Sequence, residues 1–211
     1  MGLSSSNGNM LVYSQKTGEL KAILLDEGYL TDIRTALAGA LVAQYLAPKQ
    51  ITGIGIFGTG IQARLQLQYL YELLKKEDRL TATSPNIAVW VWGRNAEKQA
   101  TYIADMKAAG IDLPIYASQD PALILQKCNM IVTCTPSTEP LILNDHLPAN
   151  KGFHITAMGS DTKGKQELDA QILAKADLLV ADSFPQCAKY GEISHALNAN
   201  YVNAAQVLEL G

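Results

Sequence analysis

The chain has 211 residues, 48% of them hydrophobic and 18% charged, and a formal net charge of −3. That length suits one full domain plus part of another, and the mild acidity excludes a nucleic-acid partner, which would want a clustered basic face. No apolar run reaches membrane-spanning length, residues 1–8 lack the basic start and apolar core of a signal peptide, and Cys128, Cys134 and Cys187 lack disulfide or zinc spacing, so they read as reduced cytoplasmic thiols.

In chain order, residues 10–13 and 20–25 flank a turn at Gly18, which predicts a hairpin. Ser4-Ser-Ser-Asn7 before it either offers hydroxyls to a ligand or forms a flexible terminus. Thr31 and Asp32 offer N-caps for a helix through about Ala47, with Pro48 beyond its end. From Ile51 the rhythm becomes alternating strand and helix. Strands are expected at 51–57, 87–92, 114–116, 130–134, 153–157 and 178–181, and helices at 62–76, 96–109, 121–126 and 167–175. Residues 76–85 read as a long surface loop. The alternation predicts an α/β fold, a Rossmann-type doubly wound parallel sheet with ligands at the carboxyl ends of its strands. The hairpin and first helix cannot bury a core alone, and the tail 191–211 stops with no compact element closing it. Both ends therefore read as remnants of a second α+β domain. The expected division is 1–34 (substrate and dimerisation remnant), 35–190 (dinucleotide-binding domain) and 191–211 (return into the second domain).

The motif with most chemical content is Gly58-Thr-Gly-Ile-Gln-Ala63, a G-x-G-x-x-A turn between a buried strand and an apolar-faced helix. The first glycine permits the bend, and the second lets a pyrophosphate approach the backbone. The third small residue lets helix and strand pack, with phosphate at the helix N-terminus. Strand, glycines and helix occur in the required order, which predicts an NAD(P) site. After the second strand, Gly93-Arg-Asn95 stands where an acidic residue would bind the ribose of NAD. Arg94 suits a 2′-phosphate, Asn95 can hydrogen-bond the same group, and Lys98 lies a helical turn on; NADP is therefore favoured over NAD.

Thr135 follows the fourth strand of the alternating region and either lines the cofactor crevice or merely ends a strand. Asp161 lies just past the next strand, where its carboxylate either takes a proton from a substrate ammonium or water, or caps a helix. Lys165 in the same loop pairs with a phosphate or is solvated. Arg34 sits in an apolar helical pattern and needs a carboxylate or an anionic ligand. His146, His154 and His195 have no metal-ligand spacing and read as structural.

Leu30-Thr-Asp-Ile-Arg-Thr-Ala36, the glycine turn, Thr135-Pro-Ser137, Ala157-Met-Gly-Ser-Asp161 with Gly164-Lys-Gln-Glu-Leu168, and Gly191-Glu-Ile-Ser-His195 together resemble the ornithine cyclodeaminase/mu-crystallin family. Within it, the wording around Arg64 to Leu67 and Met158 to Asp161 is most similar to the bacterial cyclodeaminase-like branch linked to ectoine use. The resemblance implies an NAD(P)-binding Rossmann domain, a small amino or imino acid substrate, and a homodimer formed by the second domain. It implies ornithine-to-proline chemistry with ammonia release, or alanine dehydrogenase or ketimine reductase activity. It further implies that Gly58, Gly60, Ile61 and Gln62 contact the pyrophosphate. Arg34 would lie beside the cofactor phosphates or substrate carboxylate, Thr135 and Met158 near the nicotinamide, and Lys165 at a further cofactor contact. Asp161 would be the catalytic acid/base. The ketimine-reductase branch has serine at that position, so the carboxylate favours the other branches. Family chains carry the substrate-gripping arginine and lysine in a segment before Gly2, and a C-terminal part beyond Gly211. A catalytically incomplete dinucleotide-binding fragment is the alternative expectation.

Overall fold

The computed structural model describes residues 8–80 and 87–210. Strands β1 (Met10–Tyr13) and β2 (Leu20–Leu24) form the expected antiparallel hairpin. Its loop closes through the Ser14 N–H donating to the Glu19 carbonyl, with Gly18 at φ +72°.

Helix α1 spans Tyr29–Leu46, so Thr31 and Asp32 lie inside its first turn rather than capping it. The N-cap is Gly28 in the left-handed region, and the Asp26 carboxylate accepts the Leu30 N–H at 2.8 Å. Glycine permits the φ of 87° that brings Asp26 under the turn. The expected boundary between residues 34 and 35 falls within this helix. Ala36, Gly39, Ala40 and Ala43 are buried, and α1 packs on α2 (Ile61–Lys76) through this small-residue face.

The central sheet is parallel and five-stranded: β3 (Ile54–Phe57), β4 (Val89–Trp92), β5 (Ile115–Ser118), β6 (Met130–Thr133) and β7 (His154–Ala157), in the order β5-β4-β3-β6-β7. Successive side chains point to opposite faces. Ile54, Ile56, Val89, Val91, Met130 and Val132 pack in one core with α2 and α3 (Ala96–Ala108). Phe57, Trp90, Trp92, Ile131 and Ile155 pack in the other with α4 (Pro121–Lys127), α5 (Ala170–Ala174) and α7 (Gly191–Asn198). Two apolar faces covered by helices are what a parallel sheet requires. The strand order reverses between β3 and β6, which opens a crevice at the carboxyl ends of Phe57 and Thr133.

Two expectations for the C-terminal part are corrected. The strand expected at 178–181 forms as β8 (Leu179–Ala181) but does not join the main sheet; it pairs in parallel with β9 (Val207–Glu209). The tail is thus closed by a compact element, tied further by the Leu210 N–H to the Ala181 carbonyl and by the Glu209 carboxylate accepting the Phe184 N–H. The helix expected from residue 167 begins only at Ala170, because Asp169 caps it by accepting the Gln171 N–H. A short helix, α6 (Phe184–Cys187), and α7 fill the intervening chain. Ser4 to Asn7 and the 81–85 part of the expected loop lie outside the described residues. No described helix is long and apolar enough to cross a membrane.

Candidate functional site

The glycine turn is built by close approach. Gly58 has φ +127°, and a Cβ there would stand 2.8 Å from the Cys134 carbonyl oxygen. Its N–H donates to the Trp92 carbonyl, while the Cys134 N–H donates to the Phe57 carbonyl, so the turn is seated between β4 and β6. Gly60 is the N-cap of α2, with no side-chain cap, and no atom lies within 4 Å of where its Cβ would be. Open space therefore faces the helix N-terminus and its bare backbone, the arrangement that can receive an anion. Ala63 is fully buried and its carbonyl accepts the Tyr102 hydroxyl at 3.0 Å, which holds α2 against α3.

In front of the turn lies a cleft of about 910 Å³. Gly58, Thr59, Gly60 and Arg64 form one side of its lining. Trp92 to Asn95 with Lys98 and Thr101 form another, and Cys134 to Leu141 a third. Of the residues expected from sequence, the cleft brings together Gly58, Gly60, Arg94, Asn95 and Thr135. Asn95 spends its side-chain oxygen on capping α3, accepting the Lys98 N–H at 2.9 Å. Arg94 and Lys98 form no ion pair among the described residues, so this end of the cleft is cationic. Thr135 is buried, and both its hydroxyl and its N–H donate to Glu167.

The other expected residues lie outside the cleft lining. Ile61 is exposed at the start of α2. Gln62 turns its amide nitrogen to α1, donating to the Asp32 carboxylate and carbonyl, and its Oε1 is buried without a partner. Arg34 is exposed on α1 and makes no ion pair among the described residues. Met158 is half-buried against the α2-side core. Asp161 and Lys165 meet each other in an ion pair at 2.7 Å, with 64% of the Asp161 side chain exposed. No group of side chains suited to a metal ion occurs among the described residues.

Sequence reasoning missed three residues that hold this arrangement. Glu167 is fully buried, and its carboxylate accepts the Thr133 hydroxyl, the Thr135 hydroxyl and N–H, and the Gly159 N–H at 2.6–2.9 Å. One side chain thus ties together the ends of β6 and β7. Burial pushes its pKa up, and those four hydrogen bonds oppose the shift. Glu192 at the start of α7 accepts the Ser160 hydroxyl and the N–H groups of Glu167 and Leu168. Burial raises its pKa too, against those same bonds and the nearby His195. The loop carrying Asp161 and Lys165 is therefore pinned at both roots by buried carboxylates. The third residue, Arg64, donates from its guanidinium to the Thr59 and Gly60 carbonyls of the glycine turn. None has a local signature: an acid beside apolar residues is the sole hint at 167 and 192, and their partners are distant in sequence. The Cys134 thiol lines the cleft, and burial, with Glu167 nearby, raises its pKa, which disfavours a thiolate nucleophile there.

Comparison with known proteins agrees with this fold. The chain is 40% identical over 202 residues to an uncharacterized cyclodeaminase of Sinorhizobium fredii, covering 96% of this chain and 57% of that protein. Its fold matches the iminosuccinate reductase of Paracoccus denitrificans in complex with NAD+, with a TM-score of 0.80 and 32% identity, over 96% of this chain and 57% of that one. It also matches an archaeal alanine dehydrogenase dimer with bound NAD, with a TM-score of 0.80 and 31% identity, over 99% of this chain and 59% of that one. The chain thus spans less than two thirds of the length of these relatives. The family model of the ornithine cyclodeaminase/mu-crystallin family matches residues 1–211, and the chain belongs to that family.

Proposed function

We propose that this member of the ornithine cyclodeaminase/mu-crystallin family binds a nicotinamide dinucleotide in the cleft and serves an enzyme acting on a small amino or imino acid, with cyclodeaminase-type chemistry. The observation that carries it is the uncapped N-terminus of α2 facing open space at Gly60, at the point where the strand order reverses. Gly58 and Gly60 would hold the diphosphate, and Thr135 would flank the nicotinamide side. A bound dinucleotide supplies the hydride acceptor.

The exposed Asp161 carboxylate takes a proton from the substrate ammonium or from water, and its ion pair with Lys165 orients it. Glu167 and Glu192 fix the loop on which both stand. The cations Arg94 and Lys98, without an ion pair among the described residues, support a preference for NADP, through charge-assisted bonds to a 2′-phosphate. Three free thiols support a cytoplasmic setting. The exposed apolar side chains Leu11, Tyr13 and Ile23 of the hairpin support a homodimer. Residues 35–190 would hold the cofactor, with 1–34 and 191–211 serving the substrate and dimer side.

A second reading, an amino-acid dehydrogenase or imine reductase, is favoured by the match to the two NAD-bound oxidoreductases. An ammonia assay with ornithine, 2,4-diaminobutyrate, lysine and alanine separates them. Cyclodeaminase chemistry releases ammonia from a diamino acid with no net change in cofactor absorbance. The dehydrogenase reading predicts stoichiometric reduction of the cofactor with alanine. Either activity is abolished by Asp161→Asn, and an unaffected Asp161→Asn enzyme would remove Asp161 from the mechanism.

A further inference from the structure

Among the described residues, the main-chain N–H groups of Gly60, Ile61 and Gln62 donate to nothing within the chain. Their direction is set by the other edge of the same peptides. In a planar trans peptide the N–H points opposite to the C=O. The Thr59 carbonyl is therefore antiparallel to the Gly60 N–H, and the Gly60 carbonyl to the Ile61 N–H. Both carbonyls accept from one side chain: Arg64 Nη1 donates to the Thr59 carbonyl and, at 3.2 Å, to the Gly60 carbonyl, which also accepts the Arg64 main-chain N–H at 3.3 Å as the first turn of α2 closes.

The guanidinium is itself anchored. Its Nε and Nη2 donate to Asp105 Oδ2 at 2.9 and 2.6 Å, and its Cζ lies 5.3 Å from the centroid of the buried Tyr102 ring. Tyr102 in turn donates to the Ala63 carbonyl, so α3 holds both the arginine and the helix it serves. Most of the guanidinium donors are committed to the protein, and Asp105 neutralises its charge. Arg64 lines the cleft, yet it has little left to offer an anion directly.

We infer that Arg64 is a positioning residue: by holding the Thr59 carbonyl, and the Gly60 carbonyl together with the first turn of α2, it fixes the Gly60 and Ile61 amides at the edge of the cleft as a preformed cradle for a diphosphate. The inference rests on the dinucleotide proposal above for the identity of the ligand, but not for the brace itself. Fixed amide dipoles bind an anion better than mobile ones, because no reorganisation is needed on binding. Lysine is no equivalent, since a point charge cannot bridge two carbonyls and a carboxylate with the planar fork of arginine.

The test uses the full chain with Arg64→Ala and Arg64→Lys, the latter for the case in which alanine prevents folding. Backbone 15N order parameters of the ligand-free protein read the brace directly. Wild type is expected near the rigid value of about 0.85 at Gly60 and Ile61, and the variants below about 0.6. Calorimetry with NAD+, NADP+ and adenosine reads the consequence. Dinucleotide affinity is expected to fall about tenfold, as for loss of one charge-assisted hydrogen bond, while adenosine binding is unchanged. The dependence of dinucleotide affinity on salt should stay the same, because a braced amide and not the arginine meets the anion. Order parameters that stay at wild-type values overturn the inference, as does a variant whose salt dependence weakens, which marks Arg64 as a direct contact. A wild-type chain that binds neither dinucleotide fails the proposed function instead, and the order parameters still decide the brace.

Discussion

The main-chain N–H of Glu167 donates to the carboxylate of Glu192 at 2.7 Å, and the Glu167 carboxylate in turn receives the Thr135 and Gly159 amides. Helix α7, the loop bearing Asp161, and the ends of β6 and β7 are joined through these two acids. Chain well beyond the sheet therefore belongs to the architecture of the site.

Glu192→Ala leaves the Glu167 and Leu168 N–H groups buried without acceptors. Each orphaned buried donor costs about 1–3 kcal/mol, so we expect a loss of about 3 kcal/mol in unfolding free energy. It would be read as a lower denaturant midpoint at unchanged slope. A loss below about 0.5 kcal/mol, the range of ordinary surface substitutions, would show that the network does not hold the loop.

Two glycines in the same region predict opposite behaviour. A Cβ on Gly159 would sit 2.2 Å from the Thr135 carbonyl oxygen and 2.6 Å from Glu167 Oε2, so Gly159→Ala should unfold or strongly destabilise the chain. A Cβ on Gly60 would meet nothing. Gly60→Ala should therefore leave the melting temperature within a few degrees while reducing dinucleotide affinity, because the methyl would fill the space proposed for the diphosphate. A Gly60→Ala protein that binds like wild type would move the ligand elsewhere.

His154 gives a pH dependence with a definite sign. Burial lowers its pKa from 6.5 to about 4, with Arg79 adding to the shift and a backbone bond at Leu46 opposing it. Its contribution is present in full above the unfolded value and is lost as pH falls toward the folded one. At about 1.4 kcal/mol per pKa unit this comes to about 3 kcal/mol between pH 6.5 and 4. Glu167 and Glu192 act in the opposite direction, since their raised pKa values contribute stability at low pH that is lost on raising it. The measurement is therefore a difference: stability against pH for wild type and for His154→Gln. The variant should lose less stability on acidification, and identical slopes would contradict a buried neutral His154.

Much of this was legible locally. The five-stranded sheet, the glycine turn and helices α2 to α4 follow from periodicity and turn residues, which operate over a few positions. The hairpin was legible for the same reason. What escaped depends on partners far along the chain. Nothing near Leu179 shows that it pairs with Val207 instead of joining the sheet. Thr31 and Asp32 look like caps because their side chains suit the role, but Gly28 and Asp26 already start α1 one turn earlier. Glu167 reads as an ordinary helix-start acid until the Thr133, Thr135 and Gly159 groups that surround it are placed in space.

Arg94 should set coenzyme choice. Removing one charge-assisted contact costs about 1.5–3 kcal/mol, so Arg94→Ala should weaken NADP binding about tenfold or more and leave NAD almost unaffected. Equal losses for both, or no loss, would assign the arginine to the solvated surface.

The most direct test of the whole account is isothermal titration of the purified chain with NAD+ and NADP+. We expect one saturable site per chain for at least one of them, with competition by the other. Titrations flat for both coenzymes, on protein shown to be folded, would contradict a dinucleotide site at Gly58 to Ala63.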